Sequence, residues 1–301
     1  MMSNQNERFR PALSGTSLYG PFSSQESLDE EYNVEKAVAD FPGYIKYYQQ
    51  ASVRARNVLT NRQILKFGPT SAERLTIYPG VSAEAPVFLF VHGGYWRMGA
   101  AEDFDFIATG PLEAGFTVVV INYELAPKVT IPEIIRQVRA SIAWTANNIK
   151  NFNGNAKQLF IGGHSAGAHL AAMSSLTNWS DYDLAADTVK GVLAVSGLYD
   201  LEPVSHSFIQ PAIRISADQI LYSSPIRLIK PSVVPITVSW GSLETRAFRL
   251  QSDNYLNTWR SAGNLGLSLI VEGADHFSIL KEFETKNGLL TSALTGLLQN
   301  L

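Results

Sequence analysis

The chain has no cysteine among its 301 residues. That absence excludes disulfides, thiolate metal sites and a cysteine nucleophile, and it suits a reducing compartment, so a cytoplasmic protein is the expectation. Long apolar runs are missing too. None approaches the roughly 18–20 residues of a membrane span, and Met1 to Arg10 is polar where a secretory leader carries an apolar core. Neither a leader nor a membrane partner is expected. Charge is sparse and balanced, with 24 Lys and Arg against 27 Asp and Glu, a formal net charge of −3. No basic cluster is dense enough to neutralise a row of phosphates, which excludes nucleic acid as a partner. Apolar residues at 46% against 17% charged belong to an ordinary globular chain.

What is present is an alternation of short apolar runs with amphipathic stretches. Leu75–Tyr78, Val87–Val91, Thr117–Ile121, Leu159–Ile161, Val192–Val195, Ile236–Trp240 and Leu267–Val271 are short and rich in β-branched or aromatic residues. Several are apolar throughout, as a strand buried on both faces requires. Between them, Ile131 to Asn148 places Ile131, Ile134, Ile135, Val138 and Ile142 on one helical face. Ile279 to Leu298 also reads as helix, and Tyr32 to Leu59 carries Phe41, Tyr44, Ile45 and Tyr48 at helical spacing. The expected fold class is α/β: one domain over residues 1–301, with a mostly parallel sheet and helices on both faces. Residues 1–60 are expected as an N-terminal arm and a helical segment, either covering the site or packed on the sheet edge.

In such sheets ligands sit at the carboxyl ends of the strands, and three segments there carry chemistry. Gly163-His164-Ser165-Ala166-Gly167 follows a strand, opens a helix and matches the G-x-S-x-G nucleophile elbow. A serine on so sharp a turn tolerates only small neighbours, and the helix behind it aims N–H groups at a developing oxyanion. Ser165 is the expected nucleophile; a serine that merely caps the helix is the plainer reading. His92-Gly93-Gly94-Tyr95-Trp96 ends an earlier strand, and its glycines allow the backbone to approach a bound carbonyl. The expected oxyanion donors are the N–H groups of Gly94, Tyr95 and Ala166. His92 is expected to hold the loop, and His164 with His169 lacks an acidic partner for a metal pair, so no metal and no cofactor are expected.

The third segment, Glu272-Gly273-Ala274-Asp275-His276-Phe277, follows the last strand, where this architecture places a general base. His276 is therefore the expected base. The acid should follow the preceding strand, and there Glu244 comes first. Asp253 is the alternative, inside the amphipathic stretch Phe248 to Trp259, while Asp275 is too close in sequence to reach the neighbouring ring. Tyr95, Trp96 and Phe277 flank these motifs as an expected apolar wall for a small-molecule substrate, or as ordinary packing.

With these residues in hand, the chain resembles the kynurenine formamidase (arylformamidase) branch of the α/β-hydrolases, in its bacterial-type members. The resemblance rests on His92-Gly93-Gly94-Tyr95-Trp96, on Gly163 through Leu170 and on Ser196-Gly197-Leu198-Tyr199-Asp200-Leu201-Glu202-Pro203. It implies a cofactor-free serine hydrolase cleaving an N-formyl or small N-acyl arylamide through an acyl-enzyme, with a homodimer permitted by analogy. Ser165 and His276 carry over directly; Glu244 stands where the kynurenine-pathway enzymes usually have Asp. Asp200 is expected to tie down its loop. A carboxylesterase for small esters would use the same machinery, and a silent ligand-binding relative would have lost part of it.

Overall fold

The structure is a computed structural model, and it describes residues 19–299. The arm expected over the first residues lies outside these up to residue 18. Eight strands form one sheet: β1 Gln63–Lys66, β2 Arg74–Tyr78, β3 Ala85–Val91, β4 Thr117–Ile121, β5 Gly154–His164, β6 Val189–Val195, β7 Ile236–Gly241 and β8 Gly266–Val271, in the order β1-β2-β4-β3-β5-β6-β7-β8. Pairing from β4 across to β8 is parallel, and β1–β2 and β2–β4 are antiparallel. Strand β1 escapes the apolar pattern because Gln63-Ile64-Leu65-Lys66 is an edge strand with little burial.

Helices α1 Gln25–Tyr32 and α2 Phe41–Val58 precede the sheet, and α3 Thr109–Glu113 and α4 Ile131–Asn148 flank β4 in sequence. Then come α5 Ala166–Ser175, the short α6 Glu202–Ser205, α7 Gln210–Ile213 and α8 Ala217–Ser223, followed by α9 Arg246–Ser261 and α10 Leu289–Gln299. Every residue named for the apolar face of α4 is buried, and Thr130 caps its first turn by accepting from the Glu133 N–H. The helical region before the sheet starts earlier than its periodicity suggests, because Ser24 caps α1. Asp40 then caps α2 by accepting from the Gly43 N–H, with Pro42 in the first turn.

One expectation at the C-terminus is corrected. The stretch from Ile279 is not one helix but a 3₁₀ segment, Ser278–Phe283, then a break, then α10. Gly288 lies at the break, where a Cβ would fall 2.2 Å from the Glu282 carbonyl oxygen. The Glu282 carboxylate caps the restart by accepting from the Leu289 N–H at 2.7 Å.

The strand order decides where a site can form. β3 pairs with β4 on one side and β5 on the other, so the chain reverses direction across the sheet there. Val91 is opposite Gly163, the last pair before both strands run out into their loops. Contact between them is close: a Cβ on Gly167 would lie 2.0 Å from the Val91 carbonyl oxygen and 2.6 Å from that of His92. Both obstacles are backbone of a fully buried strand end and cannot yield cheaply. Gly167→Ala is therefore expected to lose about 3 kcal/mol or more of stability, read as a fall in the urea midpoint at unchanged m-value. A midpoint equal to that of the native protein would mean that α5 can move away from β3 at no cost.

Candidate active site

Ser165 occupies the turn between β5 and α5 with φ 57° and ψ −120°, a left-handed conformation that strains any side chain. The strain is held by its surroundings. Ser165 N–H donates to the Val195 carbonyl at 2.8 Å, and a Cβ on Gly163 would collide with the Gly167 carbonyl oxygen at 2.3 Å. The elbow thus exists because both neighbouring glycines allow backbone to approach backbone.

His276 follows β8, its imidazole buried, and its Nδ1 donates to Glu244 Oε2 at 3.0 Å. The other carboxylate oxygen, Oε1, accepts from Ser196 Oγ at 2.6 Å and from the Gly241 N–H at 2.7 Å. Glu244 therefore has three donors from three segments, and its side chain is closed to solvent. Asp253, the alternative, is exposed on α9. Asp275 turns away from the ring: its Oδ1 accepts from the Phe277 and Ser278 N–H groups and its Oδ2 from Tyr44 Oη. Burial works to raise the Asp275 pKa, but these hydrogen bonds outweigh it and hold the carboxyl below its usual range.

Ser165 and His276 line one cavity of about 140 Å³, together with Gly93, Gly94, Tyr95 and Phe277. Helix α2 contributes Phe41, Ile45 and Tyr48 to the same walls. It is fixed there by Tyr48 Oη donating to the Phe277 carbonyl at 2.7 Å and by Arg56 pairing with the buried Asp105 at 2.8 Å. Gly93 presses on Ser165, since a Cβ there would stand 3.1 Å from Ser165 Cβ. Gly94 (φ 111°), Tyr95 (φ 49°) and Trp96 (φ 57°) follow in left-handed conformations, and a Cβ on Gly94 would strike the Met98 carbonyl oxygen at 2.1 Å. Among the described residues, none accepts a hydrogen bond from the backbone N–H of Gly94, Tyr95 or Ala166.

Trp96 does not join the cavity wall. It is fully buried, and its indole Nε1 donates to His169 Nδ1 at 3.1 Å. His169 in turn donates from Nε2 to the Ser223 carbonyl at 2.6 Å. The indole faces α5, the helix behind Ser165, because the left-handed Trp96 backbone turns it inward. Sequence reasoning places Trp96 beside Tyr95 but cannot see that reversal. It also passes over Ser196, although a serine at the carboxyl end of β6 stands where a site residue is to be sought. Asp200 meets Arg227 at 3.0 Å and accepts from the Glu202 N–H, so it holds its loop.

The other buried histidines, His92 and His164, are committed elsewhere. His92 stacks on Tyr123 with centroids 4.3 Å apart and donates from Nδ1 to the Gly93 carbonyl. His164 donates from Nε2 to the His276 carbonyl at 2.7 Å, tying the elbow to the loop after β8. Burial pushes His92 and His169 down to about 4 and His164 well below its ordinary value. The fold holds all three neutral. Between pH 6.5 and about 4 the unfolded chain takes up protons that the folded chain refuses, so stability falls as pH falls through that window. At pH 5 His92 and His169 each remove about 2 kcal/mol. The urea midpoint should drop clearly between pH 7 and pH 5; a flat profile over that interval would contradict the neutral assignment.

Fold and site together define the class of this protein: it is a hydrolase of the α/β-hydrolase fold. The kynurenine formamidase of Danio rerio is 31% identical over 258 residues, spanning 83% of this chain and 86% of the relative. Esterase LipQ of Mycobacterium tuberculosis is 27% identical over 223 residues, or 66% of this chain and 52% of that one. The crystal structure of a thioesterase candidate from a Silicibacter species superposes with a TM-score of 0.79 at 24% identity, over 89% of this chain and 98% of the other. The family model described as BD-FAE matches residues 75–254. The chain belongs to the BD-FAE family, in its kynurenine formamidase-like branch. Among the described residues no helix is long and apolar enough to cross a membrane.

Proposed function

We propose that Ser165, His276 and Glu244 act as nucleophile, general base and orienting acid, and that the protein hydrolyses an N-formyl or small N-acyl arylamide such as N-formylkynurenine. The observation that carries this reading is the 3.0 Å contact from His276 Nδ1 to a fully buried Glu244 carboxylate, in the cavity that Ser165 lines. With Nδ1–H committed to Glu244, Nε2 is the unprotonated nitrogen, as a base for serine requires. Ser165 Oγ attacks the carbonyl carbon as its proton passes to His276 Nε2. The oxyanion rests on the N–H groups of Gly94, Tyr95 and Ala166, donors of a kind that contribute about 2.7–4 kcal/mol each. The imidazolium then protonates the departing nitrogen, the C–N bond breaks, and water, deprotonated by the same ring, releases the acid from the acyl-serine.

The substrate class is supported by the kynurenine formamidase relatives and by the walls. Phe277 packs against Phe41 and Tyr44, centroids 5.1 and 5.4 Å away, which gives an aromatic leaving group a flat apolar neighbour. Hydrolysis of small esters is the second reading, supported by the LipQ similarity. Values of kcat/KM for N-formylkynurenine and p-nitrophenyl acetate separate the two. A formamide preference of about tenfold or more, some 1.4 kcal/mol in transition-state binding, is expected. Turnover of the ester alone replaces the first reading by the second. Folded protein that cleaves neither substrate and fails to react with a fluorophosphonate has lost both readings to a binding role.

A further inference from the structure

The dipeptide Glu31-Tyr32, at the end of α1, touches both halves of the site without lining the cavity. The Glu31 carbonyl accepts from Thr245 Oγ1 at 2.7 Å, and the Glu31 carboxylate accepts from the Ala247 N–H at 2.8 Å. Thr245 follows Glu244 directly, and Ala247 stands in the first turn of α9, so both donors lie just beyond the residue that meets His276. One residue on, the Tyr32 carbonyl accepts from the Tyr95 hydroxyl, in the loop with the unaccepted N–H groups. The Tyr32 ring is fully buried against Phe248, at 6.0 Å between centroids, and Phe248 meets the His276 imidazole edge-on at 4.7 Å. Tyr32 Oη accepts from Gln251 Nε2, which joins the dipeptide to α9 once more.

The two loops leave different strands, β3 and β7, which lie three strand positions apart in the sheet. No sheet hydrogen bond relates one loop to the other. An oxyanion donor and a base must nevertheless agree to within about 0.5 Å for the same carbonyl group, and misplacement by about 1 Å can cost about 10²-fold. We infer that Glu31-Tyr32 is a positioning strap that sets the Glu244–His276 loop and the Gly94–Tyr95 loop in register with each other. This rests on the catalytic reading of Ser165, His276 and Glu244 given above. The strap acts through the hydroxyls of Thr245 and Tyr95 and through the Glu31 carboxylate, each of which can be removed while the backbone donors and the reacting side chains remain.

The test is a double-mutant cycle in the full chain, with Tyr95→Phe and Thr245→Val singly and together, followed by kcat and KM on p-nitrophenyl acetate. Tyr95→Phe releases one end of the strap, and Thr245→Val loosens the other by removing one of its contacts. A fall in kcat of about tenfold at nearly constant KM is expected for each. The double variant should lose less than the product of the two, because a strap free at one end no longer holds the other. Glu31→Ala should lower kcat similarly, while Glu31→Gln, whose amide oxygen can still accept from the Ala247 N–H, should recover most of it. Native kcat in both single variants, strictly multiplicative losses in the double, or a Glu31→Gln variant as impaired as Glu31→Ala would overturn the strap. If Glu31→Ala does not fold, the Tyr95 and Thr245 cycle alone decides. Fluorophosphonate labelling of Ser165 in every variant keeps the two ideas apart: labelled protein with unchanged kcat removes the strap only, whereas unlabelled native protein removes the catalytic reading beneath it.

Discussion

Ser165→Ala is expected to lower kcat/KM by about 10⁵-fold on whichever substrate the native protein prefers, and to abolish fluorophosphonate labelling. The size follows from the proposed mechanism. In it the base, the acid and the backbone donors all act on the attack of one hydroxyl, so removing it idles the whole assembly rather than one contribution. Some rate above that in water should survive, since the proposed oxyanion donors, the N–H groups of Gly94, Tyr95 and Ala166, are left in place; binding and oxyanion stabilisation alone leave about 10³–10⁴-fold in comparable sites. Stability should barely move. Alanine meets the same φ of 57° with the same Cβ as serine, and the Ser165 N–H bond to Val195 is backbone. A thermal midpoint within about 2 °C of native is expected. A folded variant that keeps more than about 1% of native activity would point to a different nucleophile.

The second large effect is expected at Glu244, where glutamine should be worse than its shape suggests. Oε1 of the native carboxylate accepts from both Ser196 Oγ and the Gly241 N–H. Two donors hold the amide oxygen of Glu244→Gln on that side and turn its NH₂ toward His276 Nδ1. The imidazole can then meet it only as an acceptor, which moves its proton to Nε2 and removes the base facing Ser165. A loss of about 10³–10⁴-fold in kcat is expected at neutral pH, with KM little changed. Ser196→Ala gives the matching control: it frees one side of Oε1, lets the amide rotate more easily, and should recover part of the loss when combined with Glu244→Gln. Activity in Glu244→Gln within tenfold of native would show that the carboxylate does not set the tautomer.

These expectations depend on features that were not equally legible in the chain. The elbow was readable because its requirements are local: glycine at 163 and 167 answers to steric collisions within five residues and one neighbouring strand. The buried strands were readable because a strand covered on both faces has to be apolar throughout, and β3, β4 and β6 are nearly so. Position along the chain also marks Ser165 and His276, since each follows a strand at the edge where such a sheet opens.

Other features were set by contacts that no local pattern encodes. Glu244 and Asp253 lie nine positions apart, and composition does not choose between them. The choice is made by the Ser196 hydroxyl and the Gly241 N–H, which meet at the carboxyl ends of β6 and β7 only once those strands pair. Trp96 read as a wall residue from its place beside Tyr95, yet its left-handed backbone sends the indole to His169 on α5. The break before α10 lies within a stretch whose apolar periodicity is continuous, and it is enforced by the close approach of Gly288 to Glu282. Glu31 and Tyr32 are far in sequence from the elbow and from Glu244 and His276, and reach the site because α1 is folded across both loops. Short-range sterics and burial periodicity therefore determined, from sequence alone, the sheet, the elbow and the strand ends where Ser165 and His276 stand. Tertiary packing decided which carboxylate, which aromatic rings and which distant helix complete the site, because a buried polar group takes whichever partner the fold brings within hydrogen-bonding reach.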